Sequence, residues 1–208
     1  MDEIAAFLDK WQTLAGAIIG SLIALLVALL VAYKARRQED LSAAMLLVGN
    51  LVTVRTASRA LEDLAKEENI ASESRPYWLS EKLVRRRITL SPMFEASRIR
   101  LMPVDVRMAA HLELFQMIFT DIEAKLDMLT NDFAAFDAKE ETTRNPEALK
   151  ADCRIIYEGF IKAVAHARCA ERILTLKVLS NWPTFHAVRL MLKKTSEDKA
   201  CKTLLYRP

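Results

Sequence analysis

Between Thr13 and Tyr33 the chain reads TLAGAIIGSLIALLVALLVAY, a run without a single charge. At about 1.5 Å of rise per residue such a run matches the roughly 30 Å hydrocarbon core of a bilayer, so it predicts a transmembrane helix over residues 13–33. Inside it Gly16, Gly20, Ala24, Ala28 and Ala32 recur at every fourth position. That spacing lines small side chains along one ridge, which lets a second helix come close, and these five residues are the expected helix-packing surface in the membrane.

The flanks set an orientation. Asp2, Glu3 and Asp9 stand against Lys10 before the run, while Lys34, Arg36 and Arg37 follow it directly. Flanking Lys and Arg are retained on the cytoplasmic side, which predicts residues 1–12 outside and residues 34–208 in the cytoplasm. Trp11 and Tyr33 bracket the run where amphipathic aromatics settle at the headgroups. A cleavable signal peptide fits poorly, since it needs a basic start and an apolar stretch of only about 7–15 residues.

The remainder is long enough for one domain with its own core. Cys153, Cys169 and Cys201 are odd in number and widely spaced, so free thiols in a reducing compartment are expected. Only four glycines occur in 208 residues, far too few for a protein of tight β-turns. The six prolines punctuate long uninterrupted stretches. The fold class is therefore all-α: a transmembrane helix continuing into an elongated cytoplasmic bundle of three long helices, with short linking helices.

The first long helix continues from the membrane with a seam of Ala44, Leu47, Leu51, Val54, Ser58, Leu61 and Ala65, which alternates steps of three and four as in a coiled coil. The second, 103–138, carries Met108, Leu112, Phe115, Phe119, Ile122, Leu126, Leu129, Phe133 and Phe136 in the same spacing, with its acids mostly off that seam. The third opens with Asn145-Pro146-Glu147, which reads as an N-cap, a proline at the first helical position and an acid in the first turn. It carries Leu149, Cys153, Ile156, Phe160, Ala163, Ala167, Ala170 and Leu174 and closes at Trp182-Pro183. The short connection 139–144 makes the second and third helices a hairpin. Residues 69–102 are too many for a structureless link and call for short helices near 80–88 and 92–100.

No segment matches a phosphate-cradling glycine loop or a nucleophile elbow, and the three histidines stand in no H-x-x-x-H pair. No catalytic residue, cofactor or metal is assigned, although His166 and Cys169 share a helical face and would need further ligands to hold a metal. The net charge of +3 hides alternating blocks: −4 over 38–74, +5 over 75–100, −6 over 103–141 and +4 over 182–208. In the basic linker 75–100, Arg85, Arg86 and Arg87 beside Trp78 suit an anionic membrane surface or an acidic protein. Nucleic acid is a weaker fit. Alternatively the apolar members cap the bundle and the arginines pair with the acidic second helix.

The segment Trp11-Gln12-Thr13-Leu14-Ala15-Gly16, with the alanine- and leucine-rich run and Arg36-Arg37-Gln38 behind it, resembles a group of uncharacterised bacterial proteins with one N-terminal membrane helix of the WQTL-x-G type. The resemblance covers the first forty residues or so and implies a bacterial inner-membrane setting. The expected role is non-enzymatic: interaction, scaffolding or signal coupling, as a homo-oligomer or an accessory subunit of a membrane complex. Its partners would be lipids and membrane proteins; no small-molecule substrate is evident. A membrane-acting effector of a phage-defence or toxin system is the main alternative, and an enzyme with an unrecognised site the least favoured.

Overall fold

The computed structural model describes residues 2–137, 145–179 and 196–206. Among them the chain is all-α, with α1 Asp2–Glu67, α2 Arg75–Arg85, α3 Phe94–Leu101, α4 Val106–Asp137, α5 Pro146–Lys177 and α6 Ser196–Tyr206. It divides into two compact units, 1–42 and 43–208.

The first unit consists of the first part of α1. Every described side chain from Leu14 to Tyr33 is exposed. This part of α1 is long and apolar enough to cross a membrane, and none of its most apolar window is buried inside the structure. In a bundle such side chains would be the first to be covered, so their solvent here is not the protein's own core.

In the second unit, the rest of α1 supplies Ala44, Leu47, Leu51 and Val54, all fully buried, with Ser58 and Ala65 nearly so. Its end is chemically defined. Asn69 adopts φ 52°, the left-handed conformation that Asn tolerates better than most residues. The Asn69 N–H then donates to the Lys66 carbonyl at 3.1 Å and the Ile70 N–H to the Ala65 carbonyl at 2.9 Å, which satisfies two carbonyls that the helix leaves free.

Helices α4 and α5 form the centre. On α4 the seam from Met108 to Phe133 is buried at every expected position; Phe136 lies outside the described side chains. On α5 Cys153, Ile156, Phe160, Ala163, Ala167, Ala170 and Leu174 are buried, and Leu149 is partly so. Gly159 lets the helices approach, since a Cβ there would stand 3.3 Å from Ile122 Cγ1. The expected cap is present, with Asn145 Oδ1 accepting from the Glu147 N–H at 2.9 Å.

Several boundaries differ from the reading of the sequence. Helix α4 begins three residues after Pro103, because Asp105 caps it by accepting from the N–H groups of Arg107 at 2.9 Å and Met108 at 3.0 Å. Helix α2 starts at Arg75 with Pro76 in its first turn, earlier than the expected 80–88, and α3 occupies 94–101. Helix α5 ends at Lys177. The connection 139–144 and Trp182-Pro183 lie outside the described residues. Helix α6 falls in the basic tail, where no helix was expected.

Candidate contact surface and polar core

The basic linker folds onto the bundle. Trp78 is buried at 8% exposure. Its Nε1 donates to Glu68 Oε2 at 2.7 Å, and Lys82 Nζ sits 5.3 Å from the ring centroid. The ring is thereby held between α1 and α2 and is not offered to a surface partner, which corrects its expected placement. Arg85 pairs with Glu81 at 3.0 Å. Arg87 reaches α4, where Asp127 and Thr130 accept from it. Arg86 is exposed. In α3, Arg98 is buried and bonded to Glu95 and to Glu113 of α4. Two arginines of the linker thus meet acids of α4, the pairing that the alternating charge blocks allow. The more exposed pair, Arg87 with Asp127, is of a kind worth about 0–1 kcal/mol, so it sets register more than stability.

Three polar contacts cross between segments inside the bundle. His111 of α4 and His166 of α5 are both buried, and their Nδ1 atoms lie 3.0 Å apart. One ring must donate its Nδ1 proton while the other accepts, which requires the accepting ring to be neutral and excludes charging both. Burial lowers both, and for His111 the neighbouring His166 adds to it, down to about 4. Nearby, Asp105 Oδ2 pairs with Lys177. Burial alone would push the Asp105 carboxyl up, but Lys177 and the Met108 N–H more than offset it and hold it below the ordinary value. Arg55 of α1 forms an ion pair with Glu171 of α5 at 2.9 Å. These contacts tie the last three turns of α5 to the start of α4 and to α1.

The cysteines depart from expectation. Cys169 of α5 and Cys201 of α6 form a disulfide, and Cys153, buried in the core, takes no part in it. With Cys169 so bonded and His166 turned to His111, the pair His166 and Cys169 does not offer a ligand set; among the described residues no three His, Cys, Asp or Glu side chains come together to hold a metal. A cleft of about 160 Å³ lies among Leu61, Ala65, Arg75, Trp78, Leu79 and Tyr157. It is well below the 300–1,000 Å³ of ordinary ligand pockets.

In the first unit nothing lies within 4 Å of where a Cβ would stand on Gly16 or Gly20, so the ridge with Ala24, Ala28 and Ala32 is open. No protein-family model matches the chain, and no curated protein or solved structure proves similar to it.

Proposed function

We propose that this protein is a single-pass membrane protein, N-terminus outside and bundle in the cytoplasm, which works by interaction: as a scaffold, signal coupler or accessory subunit held at the bacterial inner membrane. The observation that carries the reading is the exposure of every described side chain from Leu14 to Tyr33 on a helix that runs on into a packed bundle. Lys34, Arg36 and Arg37 after the run support the orientation. Self-association through Gly16, Gly20, Ala24, Ala28 and Ala32 belongs to the same proposal, because an open ridge of small residues allows the close backbone approach that holds membrane helices together.

Arg86, with its neighbours Arg85 and Arg87, remains a candidate contact for anionic lipid or an acidic protein at the bundle surface. The deciding experiment fuses a reporter that is active only in the cytoplasm after Pro208 and follows the full chain through carbonate extraction. An active reporter on a protein that stays with the membrane is expected. Activity of a periplasmic reporter alone overturns the orientation, and release by carbonate overturns the span.

A further inference from the structure

The turn that joins α3 to α4 is apolar and points into solvent. Ile99 is 55% exposed, Met102 40%, Val104 42% and Val106 84%, and Pro103 between them is exposed as well. Elsewhere in α3 and α4 the large apolar residues are mostly buried, so this group is a local excess on one tip. Arg100 and Arg107 flank it and are exposed. The one acid of the turn, Asp105, is turned inward to Lys177 and to two backbone N–H groups. The tip therefore presents apolar side chains with the exposed Arg107 among them, while its one acid is paired inward.

Within the second unit this tip lies at the end where the chain enters. Asn50 Oδ1 accepts from the Ser91 N–H at 2.7 Å just before α3, and Lys177 at the end of α5 meets the start of α4. The apolar run ends at Tyr33 and the unit begins at Ala43, which leaves a covalent tether of at most roughly 35 Å.

From the exposed apolar tip, the exposed Arg107 and the short tether, we infer that the 99–107 turn is a second membrane contact that dips Met102, Val104 and Val106 into the headgroup region of an anionic bilayer. This rests on the membrane reading above. Partial insertion of one turn needs no more surface than this tip offers. A stable protein interface needs roughly 800 Å² from each partner, and four side chains on a single turn supply only a fraction of that. The tip was hidden in the sequence because Pro103 reads as a helix start.

The test places an environment-sensitive nitrobenzoxadiazole label on Val106→Cys in the full-length protein. The label is attached in a Cys169→Ser/Cys201→Ser background, in which the remaining native thiol, Cys153, is buried, so the introduced thiol takes the label whatever the redox state of the native pair. Met117→Cys on α4, also open to reagent at 61% exposure against 84% for Val106, is the reference. Both proteins are reconstituted into vesicles of phosphatidylcholine and phosphatidylglycerol that contain a nitroxide-bearing lipid. Quenching at position 106 several-fold above that at position 117 is expected, with a shift of emission to shorter wavelength. It should fall toward the reference in pure phosphatidylcholine, at high salt, or with Arg107→Gln. Equal quenching at the two positions overturns the contact, and quenching indifferent to lipid charge overturns the assignment to anionic lipid. A label that shifts to shorter wavelength yet escapes the nitroxide lipid indicates a protein partner and also overturns it. Protein that fails to float with the vesicles overturns the membrane reading itself, and the contact with it.

Discussion

His111 Nδ1 and His166 Nδ1 stand 3.0 Å apart across α4 and α5, both residues buried. The contact holds one proton between the two Nδ1 atoms, so a further proton on either ring puts a charge into a buried site, and charging both rings breaks the contact. Asp105 faces the pair from the start of α4 and pulls His111 the other way, yet burial and His166 outweigh it.

The sign of the resulting pH dependence follows from linkage. The folded value of His111 lies below its ordinary 6.5, at about 4, so the unfolded chain binds more protons between those limits. Its contribution is complete above 6.5 and is lost as the pH falls toward 4. The slope should be about 1.4 kcal/mol per pH unit for each histidine so affected. Thermal melts of the full chain in detergent, taken down this range, should show a falling midpoint that His166→Phe flattens. A midpoint as steep in the variant as in the parent would show that other groups cause it.

The Cys169–Cys201 bond closes a loop of sequence separation 32 between α5 and α6. Loop-closure entropy assigns such a link roughly 3–4 kcal/mol. None of the described side chains of α6 is fully buried, so the bond is its firmest tie to the bundle. Limited proteolysis should therefore release α6 after reduction and leave it attached before. Cys169→Ser and Cys201→Ser should act alike, and the double variant should add nothing. Alkylation of thiols in growing cells bears on topology as well: a cytoplasmic bundle should yield the reduced pair, because that compartment keeps thiols reduced, and a fully bonded pair would place α5 and α6 outside.

Phe119 is buried at 3% exposure and stacks on Phe115 with ring centroids 5.5 Å apart. Phe119→Asp should cost about 4 kcal/mol or more, since it removes an aromatic and leaves an unpaired carboxylate in the seam. Glu123, one turn on, is only half-buried, and burial followed by the Asp127 charge raises its carboxyl. Glu123→Gln should change the melting midpoint little. Similar midpoints for the two variants would remove Phe119 from the core.

In the membrane helix the contrast lies between Gly20, on the open ridge, and Leu22, off it. Gly20→Ile should weaken association in a membrane-helix reporter assay several-fold, because a branched side chain separates the backbones where they approach most closely, while Leu22→Ile should be nearly silent. Equal effects would move the contact to another face.

Much of the architecture is legible one residue at a time. The membrane run, the α4 seam from Met108 to Phe133 and the Asn145-Pro146-Glu147 start of α5 each depend on period or local chemistry, which a linear text records. The same holds for the all-α class, drawn from scarce glycine and punctuating proline. Other features join residues far apart in sequence. Cys201 meets Cys169 across 32 residues, His166 meets His111 across 55, and Arg87 meets Asp127 across 40. Trp78 resembled a surface aromatic among arginines until Glu68 and α1 enclosed it, and Pro103 resembled a helix start until Asp105 took the cap. Periodicity tells which face of a helix is apolar. Which partner covers that face, and which polar groups are then forced to find each other, depends on how the helices pack, and only the tertiary structure decided it.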